Sequence, residues 1–185
     1  MTRRFPGIGA ALFATATLAA SLSSASPATA APRASAQEFC FQSSIQSNET
    51  KLYVSSEIGF GGAFKGLLRA RAGSFGDWEH MALCTEDDGS YCLKPMVNGA
   101  RLYVTAVLDG AVAMDARLQA RGTACSTWEK FDITQLPGDH VFSIRFRANG
   151  KYVSAELGYS GDGYATLRAR ADVVGPWEQF VIRAL

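Results

Sequence analysis

The sequence predicts an all-β chain that writes out one four-stranded unit three times. Three observations carry this. Tyr53-Val54-Ser55-Ser56-Glu57 recurs as Tyr103-Val104-Thr105-Ala106-Val107 and as Tyr152-Val153-Ser154-Ala155-Glu156. Leu68-Arg69-Ala70-Arg71-Ala72 recurs as Leu118-Gln119-Ala120-Arg121-Gly122 and as Leu167-Arg168-Ala169-Arg170-Ala171, and Trp78-Glu79 as Trp128-Glu129 and Trp177-Glu178. The Tyr-to-Trp offset is 25 residues in each copy, and the copies lie 50 and 49 residues apart. A fixed period of this length marks a repeat architecture. No stretch beyond the first thirty residues holds a helical period for three turns.

The elements follow in order. Met1-Thr2-Arg3-Arg4, a run of small and apolar residues to about Leu22, and Ala28-Thr29-Ala30 read as a signal peptide over 1–30. Pro6, Gly7 and Gly9 leave this run too short and interrupted for a membrane span. The paired arginines leave the export route open. Residues 31–38 are a short linker and 39–185 one domain, with repeats at about 39–86, 87–137 and 138–185. Removing Arg3 and Arg4 from the 18 basic residues leaves 16 against 17 acidic ones, so the exported chain has no electrostatic footprint for nucleic acid or an anionic membrane. A composition 48% hydrophobic and 19% charged suits a packed domain and is not that of a disordered chain.

The third copy shows the unit most clearly. Strand-like runs at Val141 to Phe146, Lys151 to Ala155, Thr166 to Ala171 and Trp177 to Ile182 are separated by turns at Asn149-Gly150, Gly161-Asp162-Gly163 and Gly175-Pro176. Three such units are too few for a propeller, and a sandwich has no reason to repeat three times. Twelve strands in three equivalent sets close as a β-trefoil. The first and fourth strands of each unit form a six-stranded barrel, and the middle hairpins form its lid. Closure removes the edges that an open repeat would expose.

Gly150-Lys151-Tyr152-Val153-Ser154-Ala155-Glu156 with Gly175-Pro176-Trp177-Glu178-Gln179-Phe180 resembles the repeat of the fascin-like β-trefoil family, which includes actin-bundling fascins and modules of secreted bacterial proteins. The resemblance spans roughly 39–185. It implies a β-trefoil and, for function, either actin-filament crosslinking or a binding module. Ricin-type lectins carry Gln-x-Trp where this chain has Trp-Glu, so their sugar-binding residues do not transfer.

Cys40, Cys84, Cys92 and Cys125 are an even set in an exported chain, which implies two disulfides. Cys84 and Cys92 flank a turn-rich segment and are expected to join across a hairpin, leaving Cys40 with Cys125 by elimination. With no C-x-x-C pair and only His80 and His140, a zinc site is not expected. No cofactor is expected. Glu86-Asp87-Asp88-Gly89 looks like a cation-binding run but reads as a solvated turn. Asn48-Glu49-Thr50 fits a glycosylation acceptor, although nothing in the leader points to a host that would use it.

Features present three times are assigned to the fold. The tryptophans are expected to plug the barrel base beside Tyr53, Tyr103 and Tyr152, and Arg71, Arg121 and Arg170 to pair with Glu79, Glu129 and Glu178. Glu57 and Glu156 occupy matching positions where the second copy has Val107, so the carboxylate is dispensable to the fold. Differences mark where a ligand is chosen. The segments between second and third strands vary most: Gly59 to Phe64, Asp109 to Asp115 and Gly158 to Tyr164. Phe60, Tyr159, Asp162 and Tyr164 are the candidate ligand-binding residues, since aromatic rings with a nearby carboxylate suit polysaccharide. The alternative is that they fold back over the barrel mouth as packing. Neither histidine accompanies a nucleophile motif and no carboxylate pair stands out, so no enzyme activity is expected. The sequence thus reads as a secreted monomer binding extracellular carbohydrate. Its alternatives are a fascin-like filament crosslinker and a protein-interaction or inhibitor trefoil with a protein partner.

Overall fold

The computed structural model describes residues 38–110 and 114–185, without the side chain of Asn98. The expected signal peptide, the linker up to residue 37 and residues 111–113 of the second lid segment lie outside the described residues.

Twelve strands form three sets of four: β1 (Phe39–Ser47), β2 (Tyr53–Ser56), β3 (Leu68–Ala72) and β4 (Met81–Thr85); β5 (Tyr91–Pro95), β6 (Tyr103–Val107), β7 (Arg117–Gly122) and β8 (Lys130–Gln135); β9 (Val141–Phe146), β10 (Lys151–Ala155), β11 (Leu167–Ala171) and β12 (Gln179–Ala184). Among the described residues there is no α-helix, and no helix is long and apolar enough to cross a membrane. The first and fourth strands of each set pair in the cycle β1–β4–β5–β8–β9–β12, and β12 returns to β1. The nine-residue β1 serves both neighbours, pairing through Phe39 to Ser43 with β4 and through Ser43 to Ser47 with β12. All pairings are antiparallel, and the ring leaves no open barrel edge. This is the β-trefoil.

Period-2 alternation fills the barrel. Met81, Phe131 and Phe180 are equivalent positions, all fully buried, and Leu83, Ile133 and Ile182 follow two residues on in the same core. Burying each such phenylalanine contributes about 1.5–3 kcal/mol. The tryptophans, expected at the base, are not the plug. Trp78 and Trp177 sit in the middle of 3-10 turns, Asp77–Glu79 and Pro176–Glu178, three residues ahead of those plug positions. In so tight a turn the middle side chain faces out while the following glutamate turns inward. Trp78 is 37% exposed and Trp128 55%, whereas Glu79, Glu129 and Glu178 are buried. The barrel is filled by Met81, Phe131 and Phe180 instead. Tyr53, Tyr103 and Tyr152 are half-buried on the outer strands.

The disulfides also differ from expectation. They are Cys40–Cys84 and Cys92–Cys125. β4 has a neighbour on each side, and Cys84 faces Cys40 on β1 as directly as it faces Cys92 on β5. Hairpin spacing alone cannot choose between them. Cys92 is opposite Lys130 at the start of β8, and the segment leading into that strand brings Cys125 to it.

The three lid hairpins lock to one another in a cycle. Ala70 N–H donates to the Ala165 carbonyl at 2.8 Å, Ala120 N–H to Gly66 at 2.7 Å and Ala169 N–H to Ala116 at 2.8 Å. The accepting residues all have positive φ: 77° at Gly66, 59° at Ala116 and 57° at Ala165. Side chains repeat the pattern. Arg69 Nε donates to the Tyr164 carbonyl at 3.0 Å, Gln119 Nε2 to Lys65 at 2.6 Å and Arg168 Nε to Asp115 at 2.7 Å.

Two outcomes are expected. Peptide mapping without reduction should recover the Cys40–Cys84 and Cys92–Cys125 pairs, and removing either bridge should lower stability by about 4 kcal/mol on the chain-entropy relation. In Gly66→Ala the new methyl would meet the Ala120 carbonyl oxygen at 2.6 Å. Because the other two hairpins hold an alanine at slightly smaller φ, the first can rotate toward their geometry. Denaturant unfolding should therefore show a loss of about 1–2 kcal/mol, and an unchanged midpoint would refute the close approach.

Candidate functional site

The lid lock places charge in the interior. Arg69 and Arg168 are buried, and their guanidinium groups reach backbone carbonyls of the neighbouring hairpin. An uncompensated buried cation is strongly destabilising, by about 3–5 kcal/mol. Repeats 1 and 3 supply an acid, Glu57 and Glu156, each 1% exposed. Glu57 Oε1 lies 3.6 Å from Arg69 and 2.6 Å from Arg71. Glu156 accepts two hydrogen bonds from Arg170, through Nε and Nη2. Repeat 2 has neutral Gln119 at the buried position and Val107 at the acid's. Along the sequence arginine and acid come and go together, and in repeat 1, where the two lie 3.6 Å apart, this accounts in charge terms for a second copy that lacks both.

The arginine pairing inferred from sequence is thereby corrected. Arg71 and Arg170 pair with Glu57 and Glu156 on the adjacent strand, not with Glu79 and Glu178. Glu178 accepts the Gly175 N–H at 2.7 Å, and Glu129 accepts the N–H and hydroxyl of Ser126, so these acids cap their own tight turns.

Beside each buried pair lies an aromatic seat. In repeat 1 a pocket of about 170 Å³ is lined by Ser55, Ser56, Glu57, Phe60, Arg71, Trp78 and Glu79. Phe60 is 51% exposed, and the Arg71 guanidinium lies 5.6 Å from its ring centre. The Trp78 ring lies on Gly59, where a β-carbon would come within 2.7 Å of it. Repeat 3 repeats the plan: Tyr159 is 41% exposed, and Trp177 lies on Gly158, 3.1 Å from where a β-carbon would stand. In repeat 2 the equivalents are Asp109 for the glycine, Gly110 for the aromatic and Val107 for the acid. By analogy with Gly59 and Gly158, a β-carbon at 109 leaves less room for the indole; the Asp109 carboxylate itself turns to Arg117, and Trp128 is 55% exposed.

A larger cavity, about 500 Å³, opens over the lid where all three hairpins contribute. Ala63, Phe64 and Met114 give it apolar walls, and Tyr159, Asp162 and the Asp109–Arg117 pair, 2.7 Å apart, supply polar groups. The structure thus places Tyr159 and Asp162 together in this cavity, with Tyr159 also at the repeat-3 seat, and Phe60 in the repeat-1 seat. Tyr164 packs its ring against the core, and its carbonyl receives Arg69. Sequence reasoning assigned Trp78 and Arg71 to the fold and did not single out Phe64 or Arg117 as binding residues. The signal available for the first two was their threefold recurrence, which reads equally as core.

Other sequence features find structural partners. Asp88 of the acidic run lies 2.8 Å from Lys130 and 3.1 Å from Arg147, and its carboxyl is held well below the usual range by Lys130 and by the Ser90 hydroxyl and N–H. His80 stacks edge-on to Phe75 at 4.6 Å. His140 lines a mainly apolar hollow of about 250 Å³ with Phe41, Tyr91 and Phe142.

The chain matches no protein-family model, and no curated protein matches it. Solved structures do. A designed threefold-symmetric protein, ThreeFoil, superposes with a TM-score of 0.62 at 16% identity, covering 78% of this chain and 99% of that one. A proteinase inhibitor from Coprinopsis cinerea gives 0.61 at 14% identity, over 80% and 99%. SeviL, solved bound to asialo-GM1 saccharide, gives 0.58 at 12%, over 78% and 98%. At these identities the likeness shows the fold.

Two carboxyls give opposite pH signatures. Burial pushes Glu57 above its ordinary value of 4.5, against the pull of Arg71 and Arg69. Its contribution is fully present below 4.5 and is lost as pH rises through the raised folded value. Denaturant melts at stepped pH should show the natural protein losing stability relative to Glu57→Gln as pH rises from that point. Asp88, lowered on folding, contributes above the ordinary carboxylate range and loses that contribution as pH falls. The natural protein should therefore lose stability relative to Asp88→Asn on acidification. A pH-independent difference in either pair would refute the corresponding environment.

Proposed function

We propose that this protein is a secreted, non-catalytic module that binds extracellular carbohydrate at the lid. The observation that carries this reading is the cavity of about 500 Å³ lined by Tyr159, Asp162, Phe64 and the Asp109–Arg117 pair. Its size lies in the range of small-ligand sites, and apolar walls with a few directed polar groups are what such sites are made of. An aromatic face suits the apolar side of a sugar ring, and the carboxylates and guanidinium suit its hydroxyls. The two disulfides fit an oxidising, extracellular setting. The fold accommodates such a role, since SeviL was solved with a saccharide.

A second reading, a protein partner, is favoured by the apolar side chains Ala63, Phe64 and Met114, which would receive an apolar side chain of that partner. A filament-crosslinking role would need two separated filament contacts, and cosedimentation with actin filaments would reveal it as a protein-dependent pellet.

The test is retention of the secreted protein on insoluble cellulose, chitin, xylan and β-1,3-glucan. One of these should retain it. Tyr159→Ala and Asp162→Asn should each reduce the retained fraction about tenfold while leaving the melting temperature within about 2 °C of the natural protein's. No retention on any of the four, together with a stable complex with a secreted protease that soluble sugars do not displace, would replace this reading with the second.

A further inference from the structure

The seats beside the buried acids are a second kind of site, and the three repeats supply an internal comparison for them. Charge balance explains why repeat 2 lacks the acid. It does not explain why the same repeat also lacks the exposed aromatic, with Gly110 in place of Phe60 and Tyr159, or why Asp109 replaces the glycine under the tryptophan. Gly110 shows that the hairpin closes without an aromatic there. Three of the five seat positions, the acid, the glycine and the aromatic, are lost together in repeat 2 and kept together in repeats 1 and 3, while the arginine and the tryptophan are present in all three.

The kept residues form a prepared surface. Arg71 and Arg170, each about two-fifths exposed, are fixed in direction by Glu57 and Glu156. Each stands beside an exposed ring and an indole seated on a glycine. In repeat 1 neither Glu57 oxygen accepts an aligned hydrogen bond among the described residues, although both are buried at the wall of the pocket. The guanidinium of each seat is already matched by carboxylates: Arg71 by Glu57 and Glu79 in the repeat-1 lining, with Arg69 3.6 Å from Glu57, and Arg170 by Glu156 with Glu178 in electrostatic reach. A neutral ligand is matched to such a site, an anionic one is not.

We infer that repeats 1 and 3 each carry a seat for one neutral pyranose ring, stacked on Phe60 or Tyr159 and hydrogen-bonded by Arg71 or Arg170, and that repeat 2 carries none. Glu57 and Glu156 are positioning residues that aim the guanidinium. This deepens the proposed function and rests on it for the class of ligand. It adds that the protein engages a glycan at two symmetry-related points, which raises avidity for a polymer without further contacts. The lid cavity shares Tyr159 with the repeat-3 seat, and its Ala63 and Phe64 belong to the hairpin that carries Phe60.

The experiment follows tryptophan emission of the whole secreted protein during titration with cellohexaose, chitohexaose, xylohexaose and laminarihexaose. One of them should give a saturable change. Phe60→Ala and Arg71→Gln should each remove about half its amplitude, as should Arg170→Gln, and Phe60→Ala combined with Arg170→Gln should remove it. Arg121→Gln should match the natural protein. Phe60 is exposed, so its replacement reports binding even if an arginine variant folds poorly. A response abolished by Asp162→Asn but untouched by the seat variants would place the sugar in the lid cavity alone and overturn the seats. A response lost with the seat variants and kept in Asp162→Asn would leave the seats standing and remove the lid cavity as the sugar site. Loss in Arg121→Gln equal to that in Arg71→Gln, or no response to any hexaose, would overturn the inference.

Discussion

Three backbone hydrogen bonds at the meeting of the lid hairpins set the terms for the rest of the molecule. Each hairpin donates through the third strand to a positive-φ residue of its neighbour, so the three close into a cycle. Such an acceptor must be small, and the sequence has Gly66, Ala116 and Ala165 there. The bond also brings the preceding side chain of the third strand against the neighbour's loop, where a long polar group can reach a carbonyl. Two repeats use arginine and one uses glutamine. Burying arginine demands an anion nearby, and the anion demanded in repeats 1 and 3 then orders a second arginine at the surface. A backbone contact at the threefold axis is thus linked, step by step, to the chemistry displayed on the outside.

The triplication makes the barrel legible in the sequence, because strand alternation and turn chemistry are local and the fixed period forces closure. It could not separate residues that recur for the barrel from those that recur for the turns feeding it. Trp78, Trp128 and Trp177 recur as faithfully as Met81, Phe131 and Phe180. Only the tightness of the turn, which ends three residues later in an inward-facing strand position, decides that Met81, Phe131 and Phe180 plug the barrel and the indoles do not. The disulfides were missed for a related reason. A strand has two neighbours, and spacing along the chain sees only the one across the hairpin. Glu57 was legible as a position that varies, but its partner was not. Arg71 and Arg69 are two residues apart and would point to the same face of a regular strand, yet a register shift between Tyr53 and Val54 alters how β2 meets β3.

Symmetric repeats act as substitution experiments already performed on one scaffold. Repeat 2 shows that the hairpin tolerates valine for the acid, glycine for the aromatic and aspartate for the glycine under the tryptophan, since its core positions Val104, Leu118 and Phe131 remain as buried as their counterparts. What repeats 1 and 3 keep beyond this is therefore not set by packing. Within that remainder, charge compensation accounts for the glutamate. The exposed ring and the glycine-seated indole have no such account in the fold, and they are the groups that a flat, hydroxylated, uncharged ligand would use.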